Sequence, residues 1–212
     1  ARARRLDESA EIIVFERGHH VSFANCGLPY HVGEVIADRD RLLLQTPQSL
    51  RDSLNIDVRI GTEVTAIDPA NRTVSVREVD TGAEYTETYD ALALCPGAAP
   101  VRPPLAGIDH PAIEVLRRIG DMDRIKARLD TALAAHKAAR RDPVRAVVIG
   151  AGYIGLEMAE NLHHRGVAVH VVERADQILP PVDREISVPV EQHLRSRGIH
   201  VHLSTTAAAF AP

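Results

Sequence analysis

Sulfur and aromatic side chains are scarce in this sequence: two cysteines, two methionines, four tyrosines, three phenylalanines and no tryptophan among 212 residues. Two cysteines in a chain with no signal-like apolar segment exclude a disulfide framework and point to reduced thiols in a cytoplasmic protein. Long hydrophobic runs are also missing. The longest apolar stretches, 146–149 and 167–172, are strand-sized and far short of a membrane span, so a soluble protein is expected. Positive charge is not in excess. Lys+Arg 25 against Asp+Glu 29 leaves a net charge of -4, which argues against nucleic acid as a partner. What remains, 45% hydrophobic and 25% charged residues, suits a soluble globular protein of one or two domains. Against this background VSFANCGLPYH, residues 21–31, stands out for the lone cysteine between an asparagine and a glycine.

The opening ARARRLDESAEIIVFERG reads as a short helix, a polar turn over 7–9 and a strand over 12–15. A helix that feeds a buried strand normally follows another strand in a βαβ unit, so the order predicts an internal segment of a longer protein. The far end, HVHLSTTAAAFAP, stops just after a strand-like alternation and predicts the same. Between them, Thr46-Pro47 marks a capped turn and a helix to about Leu54. Strand signals follow at Val58, Glu63, Thr73 and Tyr85, and antiparallel hairpins are expected there. ALALCPGAAPVRPP reads as a buried strand that runs into a Pro/Gly-rich loop, a natural boundary. Residues 122–140 form an amphipathic helix with Ile125, Leu129 and Leu133 at helical spacing. From Arg145 the order is strand, glycine turn, helix, strand, helix, strand, as in a parallel α/β sheet.

Within that last region Gly150, Gly152 and Gly155 form G-x-G-x-x-G between a strand over 146–149 and a helix over 153–165. Glu173 closes the next strand about twenty residues on. The three glycines serve a tight turn, close approach of a pyrophosphate and helix-on-strand packing, and the phosphates would rest on free N–H groups in the first turn with Tyr153 and Ile154. Glu173 would accept from both ribose hydroxyls and repel a 2′-phosphate, which favours NADH. Arg174 beside it could pair with that phosphate, so NADPH stays open. Glu16 stands in the same place at the end of EIIVFER as Glu173 does in the later unit, and two such units imply two dinucleotides.

An acidic strand end, a cysteine soon after it, a hairpin region, CPGAAPVRPP and then a second G-x-G-x-x-G unit together resemble the pyridine nucleotide-disulfide oxidoreductases over essentially the whole chain. SFANCGLPY looks like their single-cysteine branch, which holds coenzyme A-disulfide reductases, NADH oxidases and peroxidases, and NADH-dependent persulfide reductases. LEMAENLHHRGV and ERADQILPPVD look most like the coenzyme A-disulfide and persulfide reductases. The resemblance implies an α/β fold: an incomplete Rossmann-like FAD-binding domain over 1–110, lacking its first strand and glycine-rich loop, and a Rossmann-like NAD(P)H-binding domain over 111–212. It implies that Glu16 holds the adenosine ribose of FAD, that Arg17 and Val64 lie beside the adenine, and that Pro29 and the Cys95-Pro96-Gly97 turn line the flavin. Glu157 matches an acid near the nicotinamide. Cys95 departs from the usual Thr or Ser and reads as a small buried side chain.

The same resemblance makes Cys26 the redox centre. NADH would reduce FAD, and the electrons would pass to a Cys26–S–CoA mixed disulfide or persulfide, regenerating the thiolate. Coenzyme A carries phosphates, and Arg2 and Arg5, one helical turn apart, match with Ser22 and Asn25 the positions that line its channel. A small-molecule disulfide as substrate and a homodimer for the intact protein follow from the family. An NADH oxidase or peroxidase cycling Cys26 through a sulfenic acid is the alternative, and a non-catalytic nucleotide-binding segment is the third. No metal site is expected: His19-His20 and His163-His164 point apart, and His200 and His202, on one strand face, lack a third ligand.

Overall fold

The computed structural model describes residues 1–139 and 142–211. Its helices are α1 (Arg2–Leu6), α2 (Leu28–Val32), α3 (Pro47–Leu54), α4 (Ile119–Ala139), α5 (Tyr153–His164) and α6 (Arg184–Ser196). Its strands are β1 (Ile13–Glu16), β2 (Ser22–Phe23), β3 (Leu43–Gln45), β4 (Asp57–Ile60), β5 (Thr62–Asp68), β6 (Thr73–Glu78), β7 (Glu84–Thr88), β8 (Arg145–Ile149), β9 (Ala168–Val172) and β10 (His200–His202). The chain divides into two compact units. One is Ala1–Ala24 with Asp40–Ala98, the other Asn25–Arg39 with Ala99–Pro212.

In the first unit β5, β6 and β7 form an antiparallel meander whose middle strand shows the pattern that sets it. Val74 and Val76 are buried while Ser75 and Arg77 point to water, the period-two alternation of a half-buried strand. The β5–β6 turn is held by Asp68, whose Oδ1 accepts from the N–H groups of Ala70 and Asn71. β4 does not join this meander as expected. It pairs in parallel with β1, Val14 opposite Val58, because Val58 and Ile56 bury their side chains there. Helix α3 starts with a capping box, Thr46 and Ser49 each accepting from the other's N–H, with Pro47 in its first turn. It ends on Asn55 in the left-handed region (φ 48). Arg59, braced by Asp57 of its own strand, ties β4 to the meander through Glu87 at 2.6 Å.

Residues 91–100 are the clearest departure from expectation. They form neither strand nor helix and are exposed throughout, Leu94 at 67%. The apolar alternation of ALAL needs a neighbouring strand to complete its ladder, and no strand among the described residues hydrogen-bonds to it.

The second unit carries a three-stranded parallel sheet in the order β10-β9-β8, with Val147 opposite His170 and His170 opposite His200. Helices α5 and α6 make the crossovers. Val169, Val171, Ala159 and Ile178 are wholly buried between sheet and helices. α4 begins at Ile119, earlier than expected, and turns Ile119, Met122 and Leu129 inward. Ile125 and Leu133 are half-buried, and the expected last residue, Arg140, lies outside the described residues. Among the described residues no helix is long and apolar enough to cross a membrane.

The cysteine segment packs in this unit. α2 buries Leu28, Pro29, His31 and Val32, and the residue after it, Gly33, meets α5 so closely that a Cβ there would fall 2.0 Å from Asn161 Oδ1. Asn161 is 2% exposed, and its Nδ2 donates to Glu157 O at 2.8 Å, so it has little room to turn. Gly33→Ala is therefore expected to cost about 1–3 kcal/mol in chemical denaturation. Adding Asn161→Ala removes the colliding atom, and the double variant should lose clearly less than the sum of the two singles. Additive losses would mean that the contact does not govern this junction.

Candidate functional site

The fingerprint loop is built by the turn from β8 into α5. Gly150 adopts φ +100, and its N–H donates to Val172 O at 2.8 Å, so the loop is pinned to β9. Gly155 sits against the same turn, where a Cβ would lie 2.0 Å from Gly150 O. At Gly152, the N-cap of α5, a Cβ would meet nothing within 4 Å. The first allows helix-on-strand contact, and the second leaves open space above the free N–H groups of the helix start, where an anion would sit. Tyr153 and Ile154 flank that space, 62% and 60% exposed. The cradle fits a dinucleotide pyrophosphate.

Glu173, at the end of β9, is fastened to this loop. Its Oε2 accepts from Ala151 N–H and its Oε1 from Ala175 N–H, both at 2.8 Å. Burial opposes its ionisation, but these N–H donors and the nearby Arg174 outweigh burial and hold the carboxyl below the usual carboxylate range. A lowered folded-state pKa gives stability that is present above the ordinary value of 4.5 and lost as pH falls through the folded value. Acid titration of thermal stability should show this loss below about pH 4.5, and Glu173→Gln should flatten it. An unchanged acid limb in the variant would rule Glu173 out as its source. Arg174 is exposed beside it.

In the first unit Glu16 ends β1 in the corresponding way. Its Oε1 accepts from Gly18 N–H at 2.6 Å, the same residue-to-second-neighbour bond that Glu173 makes with Ala175. Among the described residues no group donates to its other oxygen. Arg17 is paired with Glu63 at 3.2 Å, and Val64 follows on β5, 37% exposed. Cys95, expected as a small buried side chain, is exposed, as are Pro96 and Gly97, the last at φ 71, because the strand that would have covered them does not form.

Cys26 lies in the second unit, in a single 3-10 turn (Asn25–Gly27) that leads into α2, and it is exposed and free. Asn25 is exposed with it, while Gly27 and Pro29 are buried beneath. Tyr30, one turn on, is pushed up chiefly by burial, with Glu157 and Glu160 of α5 adding to it. Ser22 lies on β2 of the first unit.

Of the opening arginines, Arg2 and Arg5 are exposed, and no hydrogen bond or ion pair holds them among the described residues. Arg4, a third cation of the same helix that was given no site role, anchors α1. It donates to the carbonyls of Leu54 at 2.9 Å, Asn55 at 2.7 Å and Ala10 at 2.6 Å. His170 was passed over. Its Nδ1 is 3.0 Å from His202 Nε2 and its ring stacks on His200 at 4.6 Å, so the third imidazole that the strand pair was expected to lack is present on the neighbouring strand. Among the described residues, even so, no group of three His, Cys, Asp or Glu side chains is arranged to hold a metal ion.

A strand, a glycine turn with an open cradle, and a strand-end acid hydrogen-bonded to that turn define a dinucleotide-binding α/β protein. Its family model is that of the pyridine nucleotide-disulphide oxidoreductases, which matches residues 1–212, and the chain belongs to this family. Members of the family use FAD and NADH. The chain is 39% identical over 196 residues to the coenzyme A disulfide reductase of Staphylococcus epidermidis, covering 92% of this chain and 42% of that protein. Among solved structures it superposes on reduced CoADR-RHD of Bacillus anthracis with a TM-score of 0.91 at 42% identity, over 99% of this chain and 36% of that one. It superposes on an NAD-dependent persulfide reductase from A. fulgidus with a TM-score of 0.89 at 35% identity, over 99% and 38%. The chain thus spans less than half the length of these relatives.

Proposed function

We propose that the protein reduces coenzyme A disulfide, or a persulfide of coenzyme A, with NADH, through the single thiol of Cys26. The observation that carries this is the exposed, free Cys26 on a turn seated in the same compact unit as the fingerprint loop. Residues 1–110 act as the FAD-binding part and 111–212 as the NAD(P)H-binding part. Gly150, Gly152, Tyr153, Ile154 and Gly155 take the pyrophosphate of NADH, Glu173 and Arg174 meet its ribose, and Glu157 faces the nicotinamide. The carboxylate of Glu173 favours NADH over NADPH. Glu16 takes the adenosine ribose of FAD, with Arg17 and Val64 beside the adenine and Pro29, Cys95, Pro96 and Gly97 toward the ring. Bound FAD would supply the two-electron relay between nicotinamide and sulfur.

The Cys26 thiolate attacks one sulfur of the disulfide, forming Cys26–S–S–CoA and releasing one coenzyme A thiolate. Two electrons from NADH then break this bond, release the second coenzyme A thiolate and regenerate Cys26. Arg2 and Arg5, whose guanidinium groups have no partner among the described residues, offer charge to the coenzyme A phosphates, with Ser22 and Asn25 along the path. The enzyme works as a cytoplasmic homodimer. Exposure of Cys26 to water also suits a second reading, an NADH oxidase or peroxidase that cycles through a sulfenic acid.

Anaerobic titration separates the two. The full-length, FAD-loaded protein is reduced with NADH and then given coenzyme A disulfide or peroxide while its visible spectrum is followed. Return of the oxidised spectrum with the disulfide, together with a coenzyme A adduct on the Cys26 peptide by mass, is expected. Reoxidation by peroxide or oxygen alone would favour the second reading and remove the coenzyme A site.

A further inference from the structure

α2 is only five residues long, too short to hold its shape in isolation, yet it carries the Cys26 turn at its N-terminal end. Its other end is held by a side chain from a different helix. Arg165, the residue that closes α5, reaches back 133 positions in sequence and donates through Nη1 to Val32 O at 2.9 Å, capping a carbonyl in the last turn of α2. The same guanidinium donates through Nη2 to Asp130 Oδ1 of α4 at 2.7 Å and lies 3.5 Å from Glu34 Oε1. Lys126, also on α4, closes the ring, with Nζ at 3.0 Å from both Asp130 Oδ2 and Glu34 Oε1. Glu34, next after the Gly33 that closes α2, stands at φ 61, a left-handed conformation that a glutamate keeps only when its surroundings hold it.

The Arg165 side chain is 13% exposed, well shielded from the solvent screening that makes most surface ion pairs weak. Two like charges, Arg165 and Lys126, alternate with two carboxylates, so each charge has a partner of opposite sign on both sides. Burial works against ionisation of Asp130, but Arg165 and Lys126 outweigh it and keep the carboxyl below its usual range.

We infer that Arg165 is a positioning residue for Cys26. It acts through Val32: by fixing the C-terminal carbonyl of this short helix on the fingerprint helix, it holds the helix in shape and with it the turn at the other end, about 7–8 Å away by helical rise. Thiol chemistry with a partner held elsewhere tolerates little misplacement, of the order of 1 Å for a hundredfold loss. The inference rests on the proposed role of Cys26 as the redox thiol.

The test uses the full-length, FAD-loaded protein with stopped-flow measurement of its two half-reactions. Arg165→Met keeps the apolar stem but removes both donors. It should leave reduction by NADH within about twofold of the parent and slow reoxidation by coenzyme A disulfide about 10–100-fold. Arg165→Lys, which can still reach Val32 O with a positive charge, should recover most of the rate. Equal slowing of both half-reactions, or no rescue by lysine in a folded variant, would reduce Arg165 to a stability residue and overturn the inference. Should Arg165→Met fail to fold, Asp130→Asn, which loosens Arg165 from the ring but keeps its bond to Val32 O, must show the same selective slowing to a lesser degree. An unchanged rate there also overturns it. Cys26→Ser is measured in parallel. If that variant reoxidises normally, the thiol reading itself has failed and takes this inference with it. If it is dead while Arg165→Met is unimpaired, only the positioning role is wrong.

Discussion

Cys26→Ser is expected to lower turnover with coenzyme A disulfide by at least about 10³-fold while leaving reduction by NADH intact. The physical ground is the difference between sulfur and oxygen. A thiolate attacks a disulfide and leaves again as a thiolate, so the mixed disulfide forms and breaks readily. A serine hydroxyl stays protonated at neutral pH and makes no bond to sulfur that two electrons could cleave. The substitution removes no large volume and lies on an exposed turn, so the fold should stand. The measurement is steady-state turnover beside stopped-flow reduction by NADH. Turnover within tenfold of the parent would place the redox group elsewhere, and the only other cysteine is Cys95.

Gly155→Ala should cost the second unit both stability and nucleotide affinity through one added methyl. The added Cβ would stand 2.0 Å from Gly150 O and 3.1 Å from Gly150 C, with Val148 Cγ1 at 3.4 Å behind. The near neighbours are backbone, and Gly150 is itself pinned to Val172, so neither side can rotate away. The first turn of α5 must lift from β8, at a cost of about 2–4 kcal/mol, which lowers the melting temperature by roughly 4–16 °C for a chain of this size. That turn holds the N–H groups proposed to take the pyrophosphate, so NADH affinity should fall about 100-fold or more. Gly152→Ala is the control. Its Cβ meets nothing within 4 Å, so stability should barely change while the methyl fills the space a phosphate needs. Calorimetry with NADH beside thermal denaturation reads both. If Gly152→Ala destabilises as much as Gly155→Ala, or binds NADH as well as the parent, the open cradle is not the phosphate site.

Some features were readable from the sequence because their cause is local. Three glycines at fixed spacing between an apolar strand and a helix can make only a few turns, and the structure has the expected one, with Gly150 at positive φ and the closest packing at Gly155. The alternation of TVSVRE and the capping of α3 at Thr46 are likewise set within a few residues. The equivalence of Glu16 and Glu173 followed from strand ends alone, and both carboxylates accept from the N–H two residues on.

Other features depend on which surfaces meet across long stretches of chain, and no local pattern encodes them. β4 reads as a hairpin strand, but its partner is β1, more than forty residues earlier. ALAL reads as a buried strand, but a strand needs a ladder, and without one beside it Cys95 is exposed. Arg4 looks like its neighbours Arg2 and Arg5 until the carbonyls of Leu54 and Asn55 arrive beside it. His170 joins His202 only because β9 and β10 pair in one register. By itself the sequence determined the glycine turn between strand and helix, a cysteine with no second one near it and the absence of a long apolar span, since composition and short-range spacing suffice for those. Only the tertiary structure decided that the thiol's segment packs on α4 and α5 and that Arg165 holds it there, because a bond between residues 133 positions apart exists only once the chain has folded.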